Sequence, residues 1–250
     1  MGIPQPVFEI KEVSYTYDQH LIALDNISLI VHPGERLAIL GSNGCGKSTL
    51  LKLLDGLYFA TRGVVTAFGQ PLTETAFQND AYNFEFRRRV GLVFQDSEAQ
   101  LFMPSVWEEV TFAPLQLGFT HEATVERAEW ALEALKIEKL RQRAPHQLSG
   151  GEKKRVALAS VLSLMPEVWL LDEPTAGLDP RSVSWLIDFI NDQAAAGKTI
   201  VTATHNLEMV SASADRIYVL DEDHHLLAEG TPQQILTDRT LLVQSNLAHT

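Results

Sequence analysis

Residues 41–49 read Gly-Ser-Asn-Gly-Cys-Gly-Lys-Ser-Thr and decide the fold class of this chain. They match the pattern G-x-x-x-x-G-K-[ST] of a phosphate-binding loop. The apolar run Arg36–Leu40 before them predicts a buried strand, and the good helix formers Ser48–Leu54 after them predict a helix. Because the loop lies between a strand and a helix, as the pattern requires, we predict an α/β nucleotide-binding core.

The residue types of this loop suit a nucleoside triphosphate with Mg²⁺. Gly41, Gly44 and Gly46 allow the backbone to turn its N–H groups toward phosphate oxygens, and the following helix adds its positive end. Lys47 can reach the β- and γ-phosphates, and the Ser48 hydroxyl can bind Mg²⁺. The other members of the predicted site are Ser42, Asn43, Cys45 and Thr49.

Length and composition predict one large α/β domain, or a core with a small attached subdomain. The chain has 250 residues, of which 45% are hydrophobic, and its net charge of −12 argues against a nucleic-acid partner. Cys45 is the single cysteine, which fits a reducing cytosol, and we interpret it as a small filler residue. We expect neither a membrane span, which needs about 18 consecutive apolar residues, nor a secretory signal.

Alternating apolar residues predict an antiparallel sheet beside the core, with turns at Asp25-Asn26 and Pro33-Gly34. Tyr15 and Tyr17 lie upstream of the loop. A tyrosine there either stacks on a nucleotide base or is a half-buried strand residue. The predicted strands are Val7–Val13, Ile27–Val31 and Gly63–Phe68.

The middle of the chain is apolar and irregular. The stretches Gln100–Trp107 and Val110–Leu117 carry many large side chains, which favours a subdomain core, a partly exposed groove for a partner, or a share of both. Residues 121–140 show helical spacing, with Thr120 as the N-cap. Arg87–Arg89 is interpreted as a solvated helix end, although three basic residues also occur in nucleic-acid patches.

A second candidate anion site begins at Ser149. This residue is placed as the N-cap of a predicted helix that ends near Leu164, before Pro166. Gly150 and Gly151 leave backbone N–H groups bare at its positive end. The segment is either a plain helix start or a second site for an anion.

Acidic residues follow the predicted strand 168–171. Asp172 can hold Mg²⁺ through water, and Glu173 can orient or deprotonate an attacking water. Asp179 lies in the next turn-rich loop. His205 follows another predicted strand, where ligand sites of α/β proteins gather, although a lone histidine is commonly structural.

Together these segments resemble the ATPase subunit of ATP-binding-cassette transporters, over about residues 5–235. The resemblance implies a P-loop NTPase fold with a RecA-like core and an antiparallel β-subdomain. It also implies one domain at residues 5–240, with a helical subdomain inserted at about 96–164 and a tail at 241–250. The matching motifs are residues 41–49, Gln95, Leu148–Glu152, Leu170–Glu173, Asp179 and His205.

The same resemblance implies a head-to-tail homodimer with ATP at the interface. Each ATP would lie between the phosphate loop of one copy and Ser149, Gly150 and Gly151 of the other. Asp179 would bridge the two copies.

The resemblance also assigns roles within one copy. Tyr17 would stack on adenine, and Gln95 would contact Mg²⁺, water and the membrane partner. His205 would contact the γ-phosphate. Glu173 would act on the attacking water while Asp172 holds Mg²⁺, so closing the dimer would complete the catalytic site.

Residues 93–118 look like the corresponding region of energy-coupling-factor importers, most of all their cobalt and nickel branch. Ser97 departs from the proline that is usual there. The resemblance implies a transmembrane scaffold subunit that docks on residues 95–118 and a peripheral position at the cytoplasmic face of the cell membrane. The alternatives are a cassette for amino acids or metal chelates, and a soluble family member that acts in cofactor assembly.

Overall fold

The computed structural model describes residues 5–18 and 20–248. Its strands are β1 Phe8–Tyr17, β2 Leu21–Val31, β3 Arg36–Leu40, β4 Arg62–Ala67, β5 Gln70–Pro71, β6 Val90–Val93, β7 Val168–Asp172, β8 Thr199–Thr204, β9 Arg216–Leu220 and β10 Leu226–Gly230. Its α-helices are α1 Lys47–Leu54, α2 Glu74–Phe77, α3 Asp80–Arg89, α4 Ser97–Gln100, α5 Val106–Gln116, α6 His121–Ala134, α7 Gly150–Leu162, α8 Pro180–Ala195, α9 Leu207–Ser213, α10 Pro232–Thr237 and α11 Arg239–Gln244.

The larger sheet carries the functional edge of the molecule. Its order is β10-β9-β3-β8-β7-β6, and all of these strands run parallel except β10 at one border. The parallel strands are almost entirely buried, as their continuous apolar sequences predict. Because parallel strands end at the same edge, Gly41, Gln95, Glu173 and His205 all emerge there, each at the end of a different strand.

The smaller sheet is antiparallel, as predicted, with the order β2-β1-β4-β5. The predicted turn at Asp25-Asn26 is wrong, because β2 continues through both residues. The Ser14 hydroxyl of β1 accepts a hydrogen bond from the Asn26 backbone N–H at 3.0 Å and donates one to the Asp25 carboxylate at 3.2 Å. This contact stabilises an irregularity in the strand at the place where the sequence indicates a turn.

The helices α4 to α7 lie between β6 and β7 in the chain, and α5, α6 and α7 pack on one another around a buried apolar cluster. Thr120 caps α6, as predicted, by accepting the Ala123 N–H at 3.2 Å. The helix ends at Ala134, earlier than predicted, and a short 3₁₀ turn at Glu138–Leu140 follows. A second 3₁₀ turn, Pro145–Gln147, leads into α7.

The basic end of α3 is a helix end, as predicted, but its arginines are not simply solvated. Arg87 donates to both the carbonyl and the carboxylate of Asp55 at 2.7 Å, and Asp55 is buried. Arg89 pairs with Glu167 at 2.9 Å, and its guanidinium lies 3.4 Å from the centre of the Phe68 ring. The buried carboxylate at the end of α1 explains why Arg87 turns inward.

The last elements pack against the larger sheet. Helix α11 crosses residue 240, the predicted end of the domain, and Leu241 and Leu242 are buried. In the described part of the chain, no helix combines the length and the apolar character needed to cross a membrane.

Candidate nucleotide-binding site

At Gly46, the loop after β3 takes a conformation that only glycine fits. Gly46 has φ +106°, and a Cβ atom there would lie 2.2 Å from the carbonyl oxygen of Ala23. Helix α1 begins directly afterwards at Lys47, with no side-chain cap among the described residues and no acidic residue in its first turn. Its positive end is therefore suited to an anion.

The Lys47 ammonium is buried among oxygen atoms of the pocket. It donates to the carbonyls of Gly41 at 2.9 Å and Ser42 at 2.8 Å, and it lies 3.5 Å from the Glu173 carboxylate. These partners explain how a charged side chain remains in a buried position. They also hold the ammonium at the centre of the loop.

Ser48 and Asp172 meet across the loop, as the magnesium prediction requires. The Ser48 hydroxyl donates to the Asp172 carboxylate at 2.9 Å. Burial raises the pKa of Asp172, and the Ser48 hydrogen bond opposes that shift. A hydroxyl and a carboxylate oxygen are ligands that fit Mg²⁺.

The Glu173 carboxylate is buried and held at both oxygen atoms. One oxygen accepts the Thr204 hydroxyl at 2.9 Å, and the other lies 2.8 Å from Nδ1 of His205. Glu173 has φ +39°, a left-handed conformation at the end of β7. The His205 side chain is 52% exposed, so its ring lies between the buried carboxylate and solvent.

A pocket of about 360 Å³ brings half of the predicted site residues together. Its walls include Tyr17, Gln95, Glu173 and residues 43–44 and 46–49. The Tyr17 hydroxyl lies 3.0 Å from that of Thr49, and the Tyr17 ring meets two other tyrosine rings edge-on. The pocket therefore joins an aromatic wall to a phosphate loop.

Some residues of the site are not among those predicted from the sequence. Leu21, Ile22 and Ala23 line the pocket beside Tyr17, and His224 reaches it from the turn between β9 and β10. The aliphatic run after Tyr17 is a signal that local reading can find. His224 is distant in sequence and follows no recognisable motif. Thr204 was also missed, although it directly precedes His205.

Cys45 is a core residue and not part of the pocket wall. Its side chain is buried in the apolar cluster beneath the loop, which confirms its interpretation as a filler. Burial raises the pKa of its thiol, and nearby Lys47 opposes this shift. Its contribution to the loop is therefore made by the backbone.

Ser149, Gly150, Gly151 and Asp179 lie at a second, exposed place. Ser149 caps α7, as predicted, in a reciprocal box with Glu152: the Ser149 N–H donates to Glu152 at 2.8 Å, and the Glu152 N–H donates to the Ser149 hydroxyl at 3.4 Å. Asp179 caps α8 by accepting two backbone N–H groups.

The starts of α7 and α8 are neighbours, because a Cβ atom on Gly151 would lie 3.2 Å from the Ser182 hydroxyl of α8. Within one chain, the phosphate loop and the ends of the parallel strands line the same pocket. The first residues of α7 and α8 do not line that pocket.

Comparison with known proteins identifies the family of the chain. The family model described as ABC transporter matches residues 24–176. The chain belongs to the ABC transporter family. It is an ATP-binding subunit of such a transporter and an ATPase.

Related sequences and solved structures are similar to this ABC ATPase over nearly its whole length. It is 46% identical to the nickel import ATP-binding protein NikO of Rhodobacter capsulatus, covering 97% of this chain and 96% of NikO. It is 40% identical to the energy-coupling factor transporter ATP-binding protein EcfA of Methanoculleus marisnigri, covering 96% of this chain and 85% of EcfA. The structure of cbiO1 from Clostridium perfringens, described as part of the transporter complex cbiONQ, has a TM-score of 0.81 at 34% identity and covers 97% of this chain and 95% of cbiO1.

A further solved relative is the dimeric ATP-binding cassette MJ0796 in a post-hydrolysis state with ADP and Pi. Its TM-score is 0.80 at 28% identity, covering 90% of this chain and 98% of MJ0796. The predicted P-loop ABC ATPase fold is therefore confirmed.

Proposed function

We propose that this ABC ATPase hydrolyses ATP in the pocket described above to drive an energy-coupling-factor importer of a transition metal ion, cobalt or nickel. The observation that carries the catalytic part is the meeting of β7 with the phosphate loop. There the buried Glu173 carboxylate lies 3.5 Å from the Lys47 ammonium, and the Asp172 carboxylate accepts a hydrogen bond from the Ser48 hydroxyl. These contacts bring a positive charge for the phosphates, a pair of oxygen ligands for a metal and a candidate base together at the end of β7.

Residues 41–49 would hold the triphosphate, and Tyr17 would stack on the adenine. Ser48 and Asp172 would hold Mg²⁺, with Gln95 at the same pocket. When bound, Mg²⁺ neutralises charge on the β- and γ-phosphates.

Glu173 would accept a proton from the attacking water or orient it. The Thr204 hydroxyl and His205 fix its carboxylate, so its position is set before water arrives. We also propose that His205 contacts the γ-phosphate. Its half-exposed ring beside the Glu173 carboxylate supports this role.

The dimer proposal explains the exposed starts of α7 and α8. Ser149, Gly150 and Gly151 of a second copy would close the pocket over ATP, and Asp179 would lie at the same interface. Support comes from the separation of these residues from the chain's own pocket and from the dimeric form of the related MJ0796 cassette. Two identical copies would each hydrolyse ATP.

The partner surface is an apolar groove of about 360 Å³ next to Gln95. Phe94, Phe102, Phe112 and Leu117 line it, together with Leu57. The Phe102 side chain is 65% exposed, which is unusual for a large apolar residue unless a partner covers it. We propose that a transmembrane scaffold subunit docks on residues 95–118 and holds the ATPase at the cytoplasmic face of the cell membrane.

We also propose a single ABC domain at residues 5–240, with a helical subdomain at about 96–164. The helices between β6 and β7 support this division. The cargo proposal rests on the similarity to NikO, whose name states nickel import, and to cbiO1 of the cbiONQ complex.

The proposal is tested by pull-down of the tagged chain from detergent-solubilised native membranes, with mass spectrometry of the partners. We expect a polytopic scaffold subunit and a small membrane protein that captures the substrate, and we expect cobalt or nickel uptake to require Glu173. Recovery of a permease that works with a periplasmic binding protein would favour an importer of amino acids or metal chelates. A protein that remains soluble with assembly factors would refute the transport role.

A further inference from the structure

A buried lysine joins the segment after β6 to the helix that starts at Ser149. Lys154 lies in the early part of α7 and is 2% exposed. Its ammonium donates to the backbone carbonyl of Phe94 at 3.2 Å and to that of Gln95 at 3.0 Å. The side chain therefore holds the backbone of Gln95 itself.

A second side chain reinforces this connection. Gln100 accepts the Phe94 N–H at 3.1 Å and donates to the Ala157 carbonyl of α7 at 2.9 Å. Lys154 and Gln100 together bind residues 94–100 to α7 from two sides.

A charged group at this buried position is costly unless it is compensated. Burial lowers the pKa of Lys154, whereas the charges of Asp172 and Asp96 raise it. A methionine, which is similar in length, is the apolar alternative for the same space and needs no hydrogen bonds. A lysine at this position therefore packs less favourably than a methionine would, but it forms hydrogen bonds to the backbone of Phe94 and Gln95.

We propose that Lys154 is a positioning residue that couples the two nucleotide sites of the dimer. Gln95 lies at the pocket of its own copy, and Ser149 at the start of the same α7 helix would face the pocket of the other copy. This inference rests on the dimer in the proposed function. A displacement of Gln95 at one ATP is transmitted through Lys154 to the helix start that closes over the other ATP.

The lysine that precedes it supplies a matched control. Lys153 lies on the same helix but pairs with the exposed Glu98 side chain and contacts no backbone carbonyl in the described part of the chain. Lys153→Met removes the same charge from the same helix and leaves the contact to Gln95 in place. Lys154→Gln removes the charge but keeps two N–H donors.

The test is ATP hydrolysis by the purified full chain, with kcat, KM and Hill coefficient measured by phosphate release and ATP affinity measured separately with a fluorescent ATP analogue. For Lys154→Met we expect kcat to fall about tenfold, the size expected from losing hydrogen bonds to a charged group. We also expect its Hill coefficient to approach 1, while the affinity of the single copy for the analogue changes less than about twofold. Lys154→Gln should recover most of the rate, and Lys153→Met should match the wild type.

The proposal is overturned if Lys154→Met behaves like Lys153→Met, if only KM changes, or if Lys154→Gln loses as much rate as Lys154→Met. A wild-type chain that hydrolyses ATP without cooperativity would also overturn the coupling, whereas a wild-type chain that does not hydrolyse ATP would instead refute the proposed function. Thermal unfolding of each variant identifies a loss of rate that comes from misfolding.

Discussion

Replacing Glu173 by glutamine tests the assignment of the base with little change in shape. The amide can still accept the Thr204 hydroxyl, which lies 2.9 Å from the carboxylate, but it cannot accept a proton from water. General bases contribute about 10²- to 10⁴-fold to rates, which corresponds to about 3 to 5 kcal/mol of transition-state stabilisation. We expect kcat to fall by this factor in Glu173→Gln.

The same substitution should strengthen ATP binding. It removes a negative charge 3.5 Å from the Lys47 ammonium, so the pocket becomes more favourable for an anionic triphosphate. In the proposed dimer, which closes over ATP, slow hydrolysis leaves the ATP bound for longer, so size-exclusion chromatography with ATP should detect a persistent dimer.

A control is available at the other end of the same strand. Glu167 precedes β7, pairs with Arg89 and is partly exposed, so Glu167→Gln should hydrolyse ATP at the wild-type rate. Near-normal turnover of Glu173→Gln, or an equal loss in both variants, would refute the role of Glu173 as the base.

Three further predictions concern Asp55, Cys45 and Gly46. Burial raises the pKa of Asp55 from 3.8 to about 6, so the folded chain binds a proton more readily between about pH 4 and pH 6. The free energy of unfolding in urea should therefore fall with rising pH in that window, by up to about 3 kcal/mol more in the wild type than in Asp55→Asn. A difference in unfolding free energy between the two proteins that does not vary with pH would contradict this. Cys45 should react with a thiol reagent much more slowly in the folded chain than in the urea-unfolded chain, because its thiol is buried; equal rates would contradict its place in the core. Gly46→Ala should abolish ATP binding in calorimetry, since its methyl group would lie 2.2 Å from the Ala23 carbonyl oxygen, whereas Gly44→Ala meets no atom within 4 Å and should retain more affinity.

Much of the site could be predicted because its chemistry is local in the sequence. The loop at residues 41–49 lies between a strand and a helix, and both are visible as apolar patterns. Asp172 ends a buried strand and Glu173 directly follows it, and Ser149 has the spacing of a capping box with Glu152. Short-range rules were sufficient for these elements.

The residues that were missed depend on contacts between distant segments. Thr204 reaches Glu173 because β8 pairs with β7, and strand order is not visible in a local pattern. In the sequence, Lys154 resembles an ordinary polar helix residue. Only the fold brings its ammonium to the carbonyl oxygen of Gln95. Asp25-Asn26 has the composition of a turn, but the Ser14 hydroxyl from the neighbouring strand satisfies its backbone. Tertiary contacts override local preference in each case.

The strand order has a consequence for the synthesis of this protein. The strand β3, which carries the phosphate loop, pairs with β8 and β9, both of which are made much later. At about 5–20 residues per second, Arg36–Leu40 leaves the ribosome roughly 8 to 33 seconds before Thr199–Thr204. Until β8 and β9 have been made, the nascent chain carries the phosphate-loop sequence without the strands that pair with β3. We therefore expect nucleotide binding to arise only after Leu220 has left the ribosome.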